Sequence, residues 1–432
     1  MKSKTYCIKE HSYFASDQYV SHVTGENILL PHKLFLNLEE FILQNKVDYS
    51  DTIDEFMVTG YAKNAGKVLK AKNYVGVIKT SDNSTIEILP KIFMSDQDDS
   101  YSKTKKIFLK MLRYSDDLPV KTFNQANLQA TNMNIFDIFI MMFLDELVQV
   151  IRQGLKSSYL DQESNLNVFK GKLLVNKHVI KNTVNKHKFY VGYEEFSVNR
   201  PENRIIKSTL VLLKKRTTNK LLHKRLNEYL LSFREVDVSI NYAQDFNKCI
   251  SNRLMTHYDA ILRWCKIFLH DKSFVNYKGQ DVAYSLLFPM EKVFEKYIQK
   301  SIMKSNLFRD CTIWPQHAQY YLIESSKRFK LKPDLVIKTN NRTIVLDTKW
   351  KILNNQHKDY GIAQSDLYQM YAYIKKYNAQ KVILIYPKPN NIAGNSHNYF
   401  EKGKDLVIFF IDLENINSSL KSLHCIINEE SY

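Results

Sequence analysis

Lys332-Pro-Asp-Leu-Val-Ile-Lys-Thr-Asn-Asn-Arg-Thr-Ile-Val-Leu-Asp-Thr-Lys-Trp-Lys351 is the stretch that decides how the chain is read. Leu335, Val336 and Ile337 form an apolar run beside Pro333. Thr339, Asn340 and Asn341 are turn formers, and Thr343 to Leu346 is a second β-prone run. The pattern predicts an antiparallel hairpin with Asp334 at the start of one strand and Asp347 near the end of the other, side by side. A strand repeats every two residues, so Asp347 and Lys349 should share a face while Leu346 and Thr348 point away. Two carboxylates and one ammonium then converge at one end of a small sheet.

That donor set suits phosphodiester hydrolysis. Paired carboxylates bind a hard cation such as Mg²⁺, which takes its other ligands from water and phosphate oxygens. A neighbouring lysine orients the attacking water and steadies charge on the phosphate. Pro333-Asp334, twelve intervening residues and Asp347-Thr348-Lys349 resemble the PD-(D/E)xK nuclease motif. A salt-bridged surface hairpin carries the same residues, so the flanks matter. A helix is expected over Ser285–Lys304, a strand over Thr312–Ile323, then the hairpin, a helix over Ser365–Tyr377, and strands over Lys381–Tyr386 and Asp405–Leu413. This is the αβββαβ order of the PD-(D/E)xK core. Glu295 lies on the first helix, where related nucleases often place an acid; a surface glutamate is the competing reading. Gln369 and Tyr373 lie four apart on one face of the second. They resemble a Q-x-x-x-Y signature that supports the site beside the catalytic lysine. Asp366 and Tyr377 lie near that face and receive no role. The twelve histidines show no ligand spacing.

With 432 residues, 44% of them apolar, the chain can build about two to four domains. Its net charge of +17 favours a polyanionic partner, most simply nucleic acid. The five cysteines form no C-x-x-C pair, so neither a disulfide framework nor a zinc site is indicated. The first residues lack an apolar signal segment, and Ile135–Ile151 is short and acidic for a membrane span. A cytoplasmic protein with no membrane association is expected.

Three regions follow from the patterning: a β-rich N-terminal domain over 1–100, a mainly helical middle over 101–275, and the nuclease domain over 276–432. The fold class is thus multidomain, mixed α+β and α/β. Tyr74–Thr80 and Thr85–Ile92 predict a hairpin around Ser81-Asp82-Asn83-Ser84. Helices are expected over Lys33–Leu43, Ser102–Tyr114, Asn134–Gln153, Asn203–Lys215, Leu221–Leu231 and Arg253–Leu269. Asn167–Leu173 and Lys188–Phe196 look less regular. Gly60 to Val68 faintly resembles a phosphate-binding loop, but its glycines are too far apart and Val68 stands where Ser or Thr would bind Mg²⁺. No nucleotide site is expected in this chain. The basic residues Arg204, Lys207, Lys214, Lys215 and Arg216 are candidates for DNA-backbone contact, set against an ordinary solvated helix face.

Several stretches together resemble the McrC family, the nuclease subunits of McrBC restriction systems. They are Tyr74–Ile78 with Ile88–Lys91, Gly154-Leu155 with Tyr159, Phe169–Leu173, Tyr193–Lys207, Ser285–Phe288 with Phe294-Glu295, and the Lys332–Lys351 run itself. The resemblance implies a DNA endonuclease that cuts only with an AAA+ GTPase hexamer, McrB, which binds GTP, recognises modified cytosine and translocates DNA. The N-terminal half would insert into the partner's ring. Asp334, Asp347 and Lys349 would be the catalytic set, with Asp334 and Asp347 holding Mg²⁺. Two other functions fit the residues: a non-catalytic DNA-binding activator of the ring, and a stand-alone repair nuclease of the same fold.

Overall fold

The structure, a computed structural model, describes residues 4–23, 27–47, 56–80, 84–92, 98–115, 118, 133–249, 256–269, 283–339, 342–354, 356, 358–389, 392 and 394–429. The expected turn residues Ser81–Asn83 and Asn340–Asn341 lie outside them, as does Arg253 at the start of an expected helix. The chain is mixed α and β and forms two compact units, residues 1–135 with 277–432, and residues 136–276.

The first unit begins with β1 (Thr5–Lys9), β2 (Tyr13–Ser16), β3 (Ile28–Leu30), α1 (His32–Val47), β4 (Met57–Ala62), β5 (Gly66–Ala71), β6 (Tyr74–Thr80), β7 (Thr85–Leu89) and α2 (Asp98–Leu112). Two four-stranded sheets result: β3-β2-β5-β4, and β1-β7-β6 completed by the later strand Ala283–Pro289. The hairpin of β6 and β7 forms as its alternation predicts, with Gly76 opposite Ile88. Gly60 to Val68, the decoy loop, is the β4–β5 hairpin, with Gly66 in the left-handed region at its turn.

One expectation is corrected here. Residues 1–100 do not stand apart from 276–432, because Ala283–Pro289 pairs antiparallel along the whole of β6. That strand also overturns a helix starting at Ser285. Its apolar run has helical spacing, but pairing with β6 buries Ser285 to Phe288 better, and helix begins only after Pro289. Gly76 makes the approach possible: at φ 148°, an added Cβ would lie 2.0 Å from the Leu286 carbonyl oxygen.

The second unit contains α3 (Ile135–Gln153), β8 (Ser158–Leu166), β9 (Lys172–Leu173), α4 (Val175–Lys181), β10 (Phe189–Ser197), α5 (Pro201–Arg216), α6 (Lys220–Ser232), α7 (Tyr242–Lys248) and α8 (Thr256–Leu269). Helix α3 is buried along most of its length, and its Phe139 and Phe143 pack on Trp264 and Phe268 of α8. Lys188–Phe196, expected to be irregular, is mostly the nine-residue β10 at the centre of the sheet β8-β10-β9. Its polar alternation hides a strand that gains its stability from two neighbours. The distinctive Asn199–Arg204 segment is an internal fastening. Pro201 opens α5, Asn203 Nδ2 donates to the Lys156 and Val198 carbonyls at 2.9 and 2.7 Å, and Tyr258 Oη donates to Asn203 Oδ1 at 2.8 Å.

The chain then returns to the first unit as β11 (Ala283–Pro289), α9 (Met290–Lys304), β12 (Thr312–Pro315), β13 (Tyr321–Ile323), β14 (Arg328–Lys330), β15 (Leu335–Lys338), β16 (Thr343–Thr348), α10 (Gln364–Lys376), β17 (Lys381–Pro387), β18 (Ser396–Glu401), β19 (Lys404–Ile411) and α11 (Ile416–Asn428). Six strands form one sheet in the order β12-β15-β16-β17-β19-β18. β15 and β16 are antiparallel, and β16, β17 and β19 run parallel. Every residue of β17 is buried, as a strand covered on both faces requires. On one face Val336, Val345, Val382 and Leu384 pack against Met370, Tyr373 and Ile374 of α10. The expected single strand Thr312–Ile323 is two: β12 ends at Pro315, and the chain leaves the sheet to make the separate β13–β14 hairpin.

Candidate active site

Leu335 pairs with Leu346, so Asp334, one residue before β15, stands next to Asp347 at the end of the ladder. Asp347 shares the face of Val345, two residues earlier, which is the face covered by α10. Lys349 follows on the same side just beyond β16, its amide held by the Ile385 carbonyl at 2.9 Å. Its Nζ lies 2.8 Å from Asp347 Oδ2 and donates to Gln369 Oε1 at 2.8 Å. Gln369 Nε2 in turn donates to Tyr373 Oη at 2.7 Å. The structure therefore brings Asp334, Asp347, Lys349, Gln369 and Tyr373 into one connected set.

Glu295, on α9, belongs to its edge. Gln316 Nε2 donates to Glu295 Oε1 at 2.7 Å, while the Gln316 amide donates to the Asp334 carbonyl at 2.9 Å. Three residues of this neighbourhood carry no sequence signal. Gln316 is one. Thr348 is another: expected to point away, it donates to Asp334 Oδ2 from both its amide and its hydroxyl at 2.6 Å. Thr348 is the last residue of β16, still in register with Ile385 of β17, whereas Asp334 lies just outside β15. Asp366, left without a role above, lies 4.0 Å from Lys349 Nζ and accepts from Tyr386 Oη at 3.4 Å.

The electrostatics are those of a crowded anionic pocket. Burial, then Asp347, then Glu295 push the Asp334 carboxyl up to about 7, against the two Thr348 donors. Burial likewise raises Asp347, although Lys349 opposes it. Burial pulls the Lys349 ammonium down, but Asp347, then Asp366 and Asp334, outweigh it, so it is held above its ordinary value. Burial also pushes the Tyr373 phenol up, so it stays neutral. Asp347 is 3% exposed, and its Oδ2 receives no aligned hydrogen bond; the ion pair with Lys349 compensates it. Among the described residues no group of three or more His, Cys, Asp or Glu is arranged to hold a metal ion. The available donors are the carboxylate pair, so a cation here would complete its shell from water and phosphate.

A family model described as "McrBC 5-methylcytosine restriction system component" matches residues 69–387. The chain belongs to this McrBC family. Its fold is similar to a chain of the refined half-complex from a tetradecameric assembly of Thermococcus gammatolerans McrB AAA+ hexamers with bound McrC. The TM-score is 0.69 at 20% identity, covering 97% of this chain and 100% of that one. A chain of the Thermococcus gammatolerans McrBC complex solved by cryo-EM matches at TM-score 0.50 and 20% identity, over 70% of this chain and 88% of that one. No curated protein matches.

The basic candidates of this McrBC-family chain divide. Arg204 is held by both oxygens of Asp245, with Nη2 at 2.6 Å, and Lys207 donates to the Val236 carbonyl. These contacts fasten α5 internally. Lys214 and Lys215 are exposed at the end of α5, and Arg216 is half-buried beside them. No helix among the described residues is long and apolar enough to cross a membrane.

Proposed function

We propose that this chain is the DNA endonuclease subunit of a McrBC-type restriction system and works in the cytoplasm. Its sheet of β12, β15, β16 and β17 with α9 and α10 is read as a PD-(D/E)xK core. The observation that carries the proposal is the pairing of Asp334 and Asp347 beside Lys349 at one end of β15 and β16. Family membership supports the biological setting.

The residues fit Mg²⁺. Both donors are carboxylates whose proton affinity is raised, Asp334 by burial and then Asp347, Asp347 by burial and then Asp366 and Glu295, and Asp347 Oδ2 is buried without an aligned donor. A bound divalent cation would neutralise charge on the scissile phosphate and acidify water beside it. Asp334 and Asp347 would hold that cation, with Thr348 fixing the Asp334 carboxylate. Lys349, protonated at neutral pH, places a positive charge against the phosphate and orients the attacking water. Gln369 holds the lysine in that position, and Tyr373 holds Gln369. GTP binding, recognition of modified cytosine and DNA translocation fall to a McrB-like AAA+ hexamer. The neighbouring structures of McrB hexamers with bound McrC support that division.

Cleavage of methylated and unmethylated plasmid with Mg²⁺ tests the reading. The chain is assayed alone, and with the AAA+ protein encoded beside it plus GTP. Cutting only in the full mixture is expected, lost in Asp347→Ala while that variant still folds and binds the partner. Cutting by the chain alone would make it an autonomous nuclease; partner stimulation without cutting would make it an activator.

A further inference from the structure

Between β12 and Asp334 the chain makes an excursion that the nuclease reading does not use. β13 and β14 pair only with each other, with Tyr321 opposite Lys330 and Ile323 opposite Arg328. Residues 322–330 are all exposed. The second half, Lys327-Arg-Phe-Lys-Leu-Lys332, carries four cations. The one carboxylate of the hairpin, Glu324, is taken by Lys376 on α10 at 3.0 Å. Phe329, at φ 54°, is held in the left-handed region and is 70% exposed among those cations. A bulky residue in that conformation and that exposed contributes nothing to a core.

The feet of the hairpin stand on the active site. At the entry, Gln316 bonds both Glu295 and the Asp334 backbone. At the exit, Lys332 lies two residues before Asp334. The base is closed by Leu331 N–H to the Tyr320 carbonyl at 2.8 Å, and Tyr320 packs edge-on against Tyr377, with ring centroids 4.7 Å apart. Tyr377 packs on Tyr373, which leads through Gln369 to Lys349.

We infer that the β13–β14 hairpin clamps the DNA backbone beside the Asp334/Asp347 site, with Lys327, Arg328 and Lys330 on phosphates and Phe329 laid against the groove. The inference rests on the nuclease reading above. Charge complementarity selects the occupant: a row of unneutralised cations around one exposed ring matches a polyanion with an apolar groove wall. Continuity with the carboxylate pair fixes the place, because the same chain segment supplies clamp and ligand.

The test measures binding of the full-length chain to a fluorescein-labelled linear duplex without divalent cation, across a salt series. Lys327→Ala/Arg328→Ala/Lys330→Ala is expected to weaken binding about tenfold or more and to flatten the log–log salt slope by about three, close to one per phosphate contact. The charge-keeping variant Lys327→Arg/Arg328→Lys/Lys330→Arg should retain the wild-type slope, which separates lost charge from a lost fold. Phe329→Ala should weaken binding without moving the slope. If wild type binds and cuts while the triple alanine variant keeps its affinity and slope, the clamp is refuted and the nuclease reading survives. Loss of the AAA+ partner with DNA binding intact would refute it in favour of a protein contact. A wild-type chain that neither binds DNA nor cuts it in the full mixture would overturn both.

Discussion

Asp334→Asn should make the metal-free protein more stable at alkaline pH while abolishing cleavage. The Asp334 carboxyl is raised to about 7 by burial, then by Asp347 and Glu295, from an ordinary value of 3.8. A raised carboxyl binds its proton more tightly in the folded chain than in the unfolded one. Its contribution to stability is therefore full below the ordinary value and is lost as pH climbs through about 7. Between pH 5 and pH 7 the loss runs at about 1.4 kcal/mol per pH unit, about 3 kcal/mol in all. Solvent reaching the half-buried carboxyl reduces this to about 2 kcal/mol. For a unit of about 290 residues that corresponds to about 3 °C in Tm. Asparagine keeps an acceptor for the Thr348 amide and hydroxyl but never ionises. Calorimetric unfolding in EDTA at pH 5, 6, 7 and 8 should show wild type falling more steeply than the variant. Saturating Mg²⁺ should close the gap at pH 8, because the cation replaces the repulsion. Parallel pH profiles, or a variant less stable than wild type at pH 8, would refute the account of two buried carboxylates straining against each other.

Gln369→Leu removes the acceptor that holds Lys349 and should slow single-turnover cleavage about 10- to 100-fold with DNA affinity unchanged, the cost of one hydrogen bond to a charged group. Trp350→Phe should lower stability by about 1–3 kcal/mol in thermal unfolding. Its indole donates to the buried Glu10 carboxylate at 2.6 Å, and phenylalanine would leave that oxygen with the Lys91 amide as its remaining donor. Gly76→Ala should prevent β6 from pairing with β11 and send the protein to the insoluble fraction, since the added methyl meets the Leu286 carbonyl. A soluble Gly76→Ala protein with wild-type Tm would remove that reading.

The sequence was most informative where local pattern and tertiary demand agree. Leu335–Ile337 and Thr343–Leu346 are β-prone in isolation and paired in the sheet, so their register and the neighbouring Asp334 and Asp347 could be read from spacing. Helix α10 was legible for the same reason, and with it the i, i+4 relation of Gln369 to Tyr373. Legibility failed where a partner distant in sequence decides the outcome. Ser285–Pro289 has helical spacing and becomes a strand because β6, some two hundred residues earlier, offers an edge. Arg204 looked like an exposed cation until α7 supplied Asp245. Thr348 reaches Asp334 from the last position of β16 and Gln316 from just beyond β12, contacts that leave no residue signature. The β13–β14 hairpin was absorbed into one long strand because Pro315 and the polar run after it do not mark how far the chain leaves the sheet.

The late arrival of β11 has a consequence for the chain as it emerges from the ribosome. β6 is finished by residue 80, but the strand that covers its free edge begins at residue 283. At about 5–20 residues per second, the edge stays open for about 10–40 seconds while the second unit is made. Tyr74-Val-Gly-Val-Ile78 is apolar, β-prone and uncharged, the type of edge to which other chains add themselves. Solubility during synthesis therefore depends on how fast the second unit is translated, and slow codons between residues 136 and 276 should lower yield without touching the stability of the finished protein.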